Sequence, residues 1–156
     1  MTWRPDLTVA AVVQRDDRFL IVEEHIKGSL VLNQPAGHVE DGESIIEAAV
    51  RETLEETAWH LRPQHLLGLY LWRNPATGAT ILRIAVTGEV TGHEPLRALD
   101  RGIVAAHWMT HTELIARPAR LRSPLVLRCI DDFLTGQRHD LGALNYLAAQ
   151  PIPASA

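Results

Sequence analysis

The sequence predicts one α/β (α+β) domain, a mixed β-sheet covered on both faces by two principal helices. Three observations carry this expectation. Two β-branched apolar runs near the N-terminus flank a short charged turn, as in a hairpin. Two helical stretches, each opened by a capping signal, stand among further strand-like runs. The 156 residues contain no internal repeat, low-complexity segment or domain linker, and that length is a prior of one domain. The domain is expected over 1–149, followed by a mobile Pro- and Ala-rich tail over 150–156.

The elements follow in order. Residues 7–13 (LTVAAVV) read as a strand, 15–18 as a turn and 19–23 (FLIVE) as the returning strand. After Lys27-Gly28-Ser29 and Leu30-Val31-Leu32 comes Asn33-Gln34-Pro35-Ala36-Gly37, where Pro and Gly predict irregular backbone. Ser44-Ile45-Ile46-Glu47 has the form of a capping box and opens a helix running to about Thr57. Strands are predicted over 66–73 and 80–90, joined by the turn Asn74-Pro75-Ala76-Thr77-Gly78. A loop rich in turn formers over 91–101 leads to a strand over 103–109 and a helical turn over 110–116. Ser123-Pro124 reads as an N-cap with Pro at the first helical position, opening a helix that ends near Leu134, before Gly136.

Composition narrows the class of function. Cys129 is the single cysteine, so neither an internal disulfide nor a Cys-rich metal cage forms. It is expected as a buried structural thiol in the last helix. No apolar run approaches the ~18 residues of a membrane span, and the N-terminus lacks the pattern of a signal peptide. A cytoplasmic location is expected. The net charge of −4 is local: residues 40–56 carry −6, the remainder +2. Such a patch on a near-neutral body suggests a cation site. With no large basic arm, duplex nucleic acid is not an expected partner. No P-loop occurs, and His107 and His111, at a strand end and a turn, lack a third ligand for zinc.

At ~100° per residue, Glu52, Glu55 and Glu56 fall within roughly 100° of helical arc. Ile46, Ala49, Val50, Thr53, Leu54 and Thr57 occupy the opposite side, so the helix is expected to bury that side and present the acids. Like charges at this spacing weaken an isolated helix. A hard divalent cation removes the repulsion and takes such oxygen ligands together with substrate phosphates. Arg51, beside the stripe and four residues after Glu47, is placed to hold glutamates as an ion pair. Gly37 permits a tight turn or close backbone approach, and its carbonyl is a further candidate ligand.

Gly37, five residues, Glu43, seven residues, then Arg51-Glu52-Thr53-Leu54-Glu55-Glu56-Thr57 resembles the Nudix box. The resemblance implies an α/β/α sandwich around a mixed sheet and a hydrolase that uses Mg²⁺ or Mn²⁺ on nucleoside diphosphates linked to another moiety. Two positions depart from the pattern. Thr53 replaces an aliphatic residue, and Ala58 replaces the glycine of the helix C-cap, at a cost on the order of 1 kcal/mol. Neither removes a ligand. Carried over by position, Glu52 and Glu56 look like the main metal ligands, Glu55 a further or water-bridged one, and Glu52 also the residue that orients or deprotonates water. Arg51 looks like its electrostatic orienter and Glu43 a support at the helix start. Asp100, ahead of Glu94, is the candidate for an added acid from a later loop.

Within that family, Asn33-Gln34-Pro35-Ala36-Gly37-His38-Val39-Glu40, Leu121-Arg122-Ser123-Pro124-Leu125-Val126 and Gly136-Gln137-Arg138 are similar to the NudJ-type phosphatases. Val22-Glu23-Glu24 and Leu82-Arg83 fit as well. That group implies release of phosphate from nucleoside di- and triphosphates and from pyrophosphates of thiamine metabolism. Arg83 and Arg122 are then candidate phosphate clamps, and Gln34 and His38 candidate substrate contacts. Tyr70 and Trp72 share a strand face, where packing is expected ahead of base stacking. ADP-ribose or nucleotide-sugar hydrolysis is the alternative, followed by a non-catalytic nucleotide-binding module. The expected partner is a small nucleotide or pyrophosphate substrate, and the expected state a monomer or homodimer.

Overall fold

The computed structural model describes residues 2–149. The tail expected at 150–156 lies outside the described residues. Seven strands form one mixed sheet: β1 (Asp6–Arg15), β2 (Arg18–Ile26), β3 (Ser29–Asn33), β4 (Ala36–His38), β5 (Trp59–Arg73), β6 (Thr80–His93) and β7 (Ile103–Thr110). The helices are α1 (Ile45–Thr57), α2 (His111–Ile115) and α3 (Leu125–Leu134). The path through the sheet is β3-β2-β1-β6-β5, with β4 also on β1 and β7 also on β2. The β1–β6 pair is parallel, and the other named pairs are antiparallel.

β1 is apolar without a break from Val9 to Val13 because both of its faces are covered there. Val9, Ala11 and Val13 pack with Ala48 and Ala49 of α1. Val12 packs on the other side with Cys129 and Ile130 of α3. These two cores, one per sheet face, are the expected two-sided covering. Among the described residues, no helix is long and apolar enough to cross a membrane.

Four local expectations needed correction. The stretch expected to be irregular around Gly37 contains β4, whose Ala36, Gly37 and His38 pair with Ala10, Val9 and Thr8. β5 begins at Trp59, directly after α1, rather than near residue 66. Pro63 obscured it, but register shifts at 60/61, 63/65 and 66/68 absorb the irregularity. Gly88 is required opposite it, since a Cβ there would lie 2.1 Å from the Arg62 carbonyl oxygen. α3 starts at Leu125, one residue later than predicted, with the Ser123 hydroxyl accepting from the Leu125 N–H at 3.2 Å.

The fourth correction concerns α1. Its capping box is present: Ser44 Oγ accepts from Glu47 N–H, and Glu47 accepts from Ser44 N–H. Ala58 sits at φ 60° and donates its N–H to the Leu54 carbonyl, so alanine adopts the left-handed cap without moving the helix end. The buried residues are Ala48, Ala49, Glu52, Thr53, Glu56 and Thr57. The buried arc is therefore rotated toward the acids, because β4 covers the flank that was expected to face solvent. Ile46, Val50 and Leu54 are only partly buried. Thr53 is fully buried, and its hydroxyl donates to the Ala49 carbonyl at 2.7 Å.

Candidate active site

One turn of helix separates Glu52 from Glu55 and Glu56, and the loop between β6 and β7 adds Asp100. The Asp100 N–H donates to the Glu55 carbonyl at 2.9 Å, which ties that loop to α1. One carboxylate oxygen each from Glu52, Glu55 and Asp100 lie within 4.8 Å of one another. Glu94 stands elsewhere, held by His60 at 2.8 Å and Arg97 at 3.2 Å. Glu56 is not in that threesome: its Oε2 accepts the Ala36 N–H of β4 at 3.0 Å.

Arg51 crosses the outside of the cluster. Its Nη1 donates to Glu52 at 2.9 Å and Glu55 at 3.1 Å. Its Nε and Nη2 grip Glu43 at 2.9 and 2.7 Å, and Nη2 also donates to the His38 carbonyl. Glu47 is not its partner, being occupied in the capping box. Glu43 additionally accepts the Glu40 N–H at 2.7 Å. The Arg51 guanidinium holds the Glu43 carboxyl below its ordinary range. Burial raises the Glu52 carboxyl against the opposing pull of Arg51, and burial pushes Glu56 up to about 9. One arginine therefore faces more acid than it neutralises.

Beside this acidic wall lies a pocket of about 490 Å³. Ala36 and Gly37 belong to both: they line the pocket, Ala36 binds Glu56, and a Cβ on Gly37 would lie 2.1 Å from Glu52 Oε1. Arg83 and Arg122 line it, as do Glu24, Lys27, His38 and Trp72. Arg83 is 5% exposed. Its Nη1 donates to Gln34 Oε1 at 3.0 Å and its Nη2 to Asn33 Oδ1 at 3.2 Å, while its buried Nε has no partner among the described residues. Burial lowers the pKa of this cation, which has neutral amides rather than a carboxylate as its direct partners.

Gln34 departs from the expected substrate contact. It is 1% exposed and does not line the pocket. It bridges Arg83 to the Val126 carbonyl of α3 at 2.8 Å. Tyr70 is buried and donates to Asp132 at 2.9 Å, whereas Trp72 lines the pocket. His107 pairs with Glu23 and His111 with Asp131. Cys129 is buried, and burial pushes its thiol up. Sequence reasoning missed Asn33 as a partner of Arg83 and Lys27 as part of the pocket lining. One available signal was Arg83 itself: a charge inside the apolar strand run 81–86 demands polar partners.

The NUDIX domain family matches residues 4–128. The chain is 38% identical over 139 residues to phosphatase NudJ of Escherichia coli K12, covering 89% of this chain and 90% of that protein. It is also similar to a NUDIX hydrolase from Nitrosomonas europaea, with 47% identity and a TM-score of 0.91 over 92% of this chain and 98% of that one. An ADP-ribose pyrophosphatase from Streptococcus suis shares the fold, with a TM-score of 0.65 at 16% identity, over 88% of this chain and 97% of that one. A buried acid stripe on α1, an arginine-floored pocket beside it and these likenesses agree: the chain belongs to the Nudix family, as one of its hydrolases.

Proposed function

We propose that this enzyme, a hydrolase acting on phosphoanhydride bonds, releases phosphate from nucleoside di- and triphosphates, and from pyrophosphates of the thiamine pathway, with Mg²⁺ as cofactor and Mn²⁺ as a substitute. The observation that carries the reading is the shared β4 wall, which sets the clustered carboxylates next to the pocket that a buried arginine lines.

The donor set suits a hard divalent cation. Three carboxylates supply oxygen atoms within 4.8 Å, and the missing Cβ of Gly37 leaves the Glu52 carboxylate its space. Glu52, Glu55 and Asp100 would hold the cation, with Glu56 and the Gly37 carbonyl as further candidates. When bound, such an ion neutralises phosphate charge and acidifies an attacking water. Glu52 orients that water or accepts its proton, with Glu55 as the alternative base. Arg51 holds both glutamates in place through hydrogen bonds to their carboxylates. Glu43 anchors Arg51 from the start of the helix. Arg83 and Arg122 take phosphate oxygens, with Arg83 held in place by Gln34 and Asn33. His38, exposed at the pocket wall, contacts substrate.

Glu52→Gln is the decisive variant. Turnover of a nucleoside triphosphate with Mg²⁺ should fall on the order of 10³-fold, with the circular dichroism spectrum unchanged. Near-normal turnover would remove Glu52 from the mechanism. Product analysis tests the substrate class: orthophosphate from a nucleoside triphosphate supports this reading, and AMP from ADP-ribose as the preferred reaction defeats it.

A further inference from the structure

Glu24 lines the same pocket as Arg83 and Arg122 and takes no part in the chemistry above. Its carboxylate is half-buried, with Oε1 at 3.7 Å from Arg122 Nε. It accepts no side-chain hydrogen bond among the described residues. Its neighbour Glu23 is fully engaged: it is in direct contact with Arg120 and lies 3.5 Å from His107. Glu23 and Glu24 leave opposite faces of β2, so only Glu24 reaches the pocket. Burial raises the Glu24 carboxyl, while the charges of Arg122 and Arg83 pull it down. It therefore feels both guanidinium groups without forming a tight pair with either. A pocket built only for phosphate affinity would leave such an anion out, because it repels phosphate and weakens the field of the two arginines.

We propose that Glu24 tempers the hold of Arg83 and Arg122 on phosphate groups, so that orthophosphate produced in the pocket is not retained. The proposal rests on the phosphate-releasing reading above. A negative charge several ångströms from a bound phosphate, in a partly solvated pocket, changes its affinity by about fivefold. The geometry also sets the sign, since removing that charge must tighten the site.

The test is calorimetric titration of orthophosphate, in MgCl₂, into the full chain and its Glu24→Gln and Glu24→Asp variants. Glu24→Gln keeps the shape and removes the charge. Its dissociation constant should fall about fivefold, and the KM for a nucleoside triphosphate should fall with it. Glu24→Asp keeps the charge and should retain the weaker affinity. Unchanged or weakened phosphate binding in Glu24→Gln overturns the proposal. So does a Glu24→Asp variant that binds as tightly as Glu24→Gln, or an absence of phosphate binding in all three proteins. If phosphate tightens as expected but the wild type releases no phosphate from any nucleotide, the functional reading fails and the product-release role falls with it, while the weakening of phosphate binding by Glu24 stands. If turnover is robust and phosphate affinity ignores the charge, the Glu24 assignment alone fails.

Discussion

Glu56 on α1 and Arg83 on β6 are both buried charged side chains, and the fold treats them in opposite ways. Glu56 lies among other acids, accepts one backbone N–H and is driven toward its neutral form, with its pKa raised to about 9. Arg83 is held by two neutral amides, and its Nε has no partner among the described residues. The acidic wall carries more negative charge than Arg51 offsets, and Arg83 has no carboxylate as a direct partner. A cation carrying a phosphate group supplies what each still needs. Two adjacent regions, each only partly compensated alone, thus become complementary to one kind of guest.

The largest test of that contrast is Gly37→Ala, on the wall both regions share. The added methyl would meet the Glu52 carboxylate at 2.1 Å. A flexible carboxylate yields easily, so the fold should survive while the acid moves. Turnover should fall about 10²-fold, with the melting temperature within a few degrees of wild type. Normal turnover would show that the position of Glu52 is not critical.

Arg83→Gln probes the floor. The KM for a nucleoside triphosphate should rise at least tenfold, with a smaller change in kcat, because a buried charged contact to phosphate is lost. An effect confined to thermal stability would make Arg83 structural. The acid pair Asp100 and Glu94 sharpens the wall. Asp100→Asn should lower activity by about tenfold and raise the Mg²⁺ concentration needed for half-maximal rate. Glu94→Gln, whose carboxylate meets His60 and Arg97, should leave both near wild type. Equal losses in the two variants would break the distinction.

The last effect is on stability rather than turnover. Burial raises the Glu56 carboxyl from 4.5 to about 9, so the folded protein keeps a proton that the unfolded chain has released. In chelator, stability from this group is fully present below pH 4.5 and declines as pH rises toward 9, by at most about 1.4 kcal/mol per pH unit. Glu56→Gln should flatten that slope, and so should Mg²⁺. Denaturant melts at pH 5 and 8 measure it, and identical slopes in wild type and variant would contradict the assigned burial.

Much of this architecture was readable from local chemistry. The capping box at Ser44, the hairpin of β1 and β2 and the run Arg51-Glu52-Thr53-Leu54-Glu55-Glu56 express short-range rules, where neighbours a few residues apart decide the outcome. The helical period also grouped the three glutamates on one arc. It failed for the burial of α1, because periodicity describes one helix and cannot say which strand will lie against it. Covering by β4 turned Glu52 and Glu56 from surface acids into desolvated ones.

The remaining features depended on contacts remote in sequence. Asp100 rather than Glu94 joins the acids because its N–H bonds to the Glu55 carbonyl, whereas the Glu94 carboxylate is taken up by His60 and Arg97, which no spacing rule contains. Gln34 became a support for Arg83 across 49 residues. The chain alone therefore determined which chemical groups were present and which elements bore them. Tertiary structure decided which groups lost water and which opposite charges shared a wall, because desolvation and long-range pairing belong to the assembled fold.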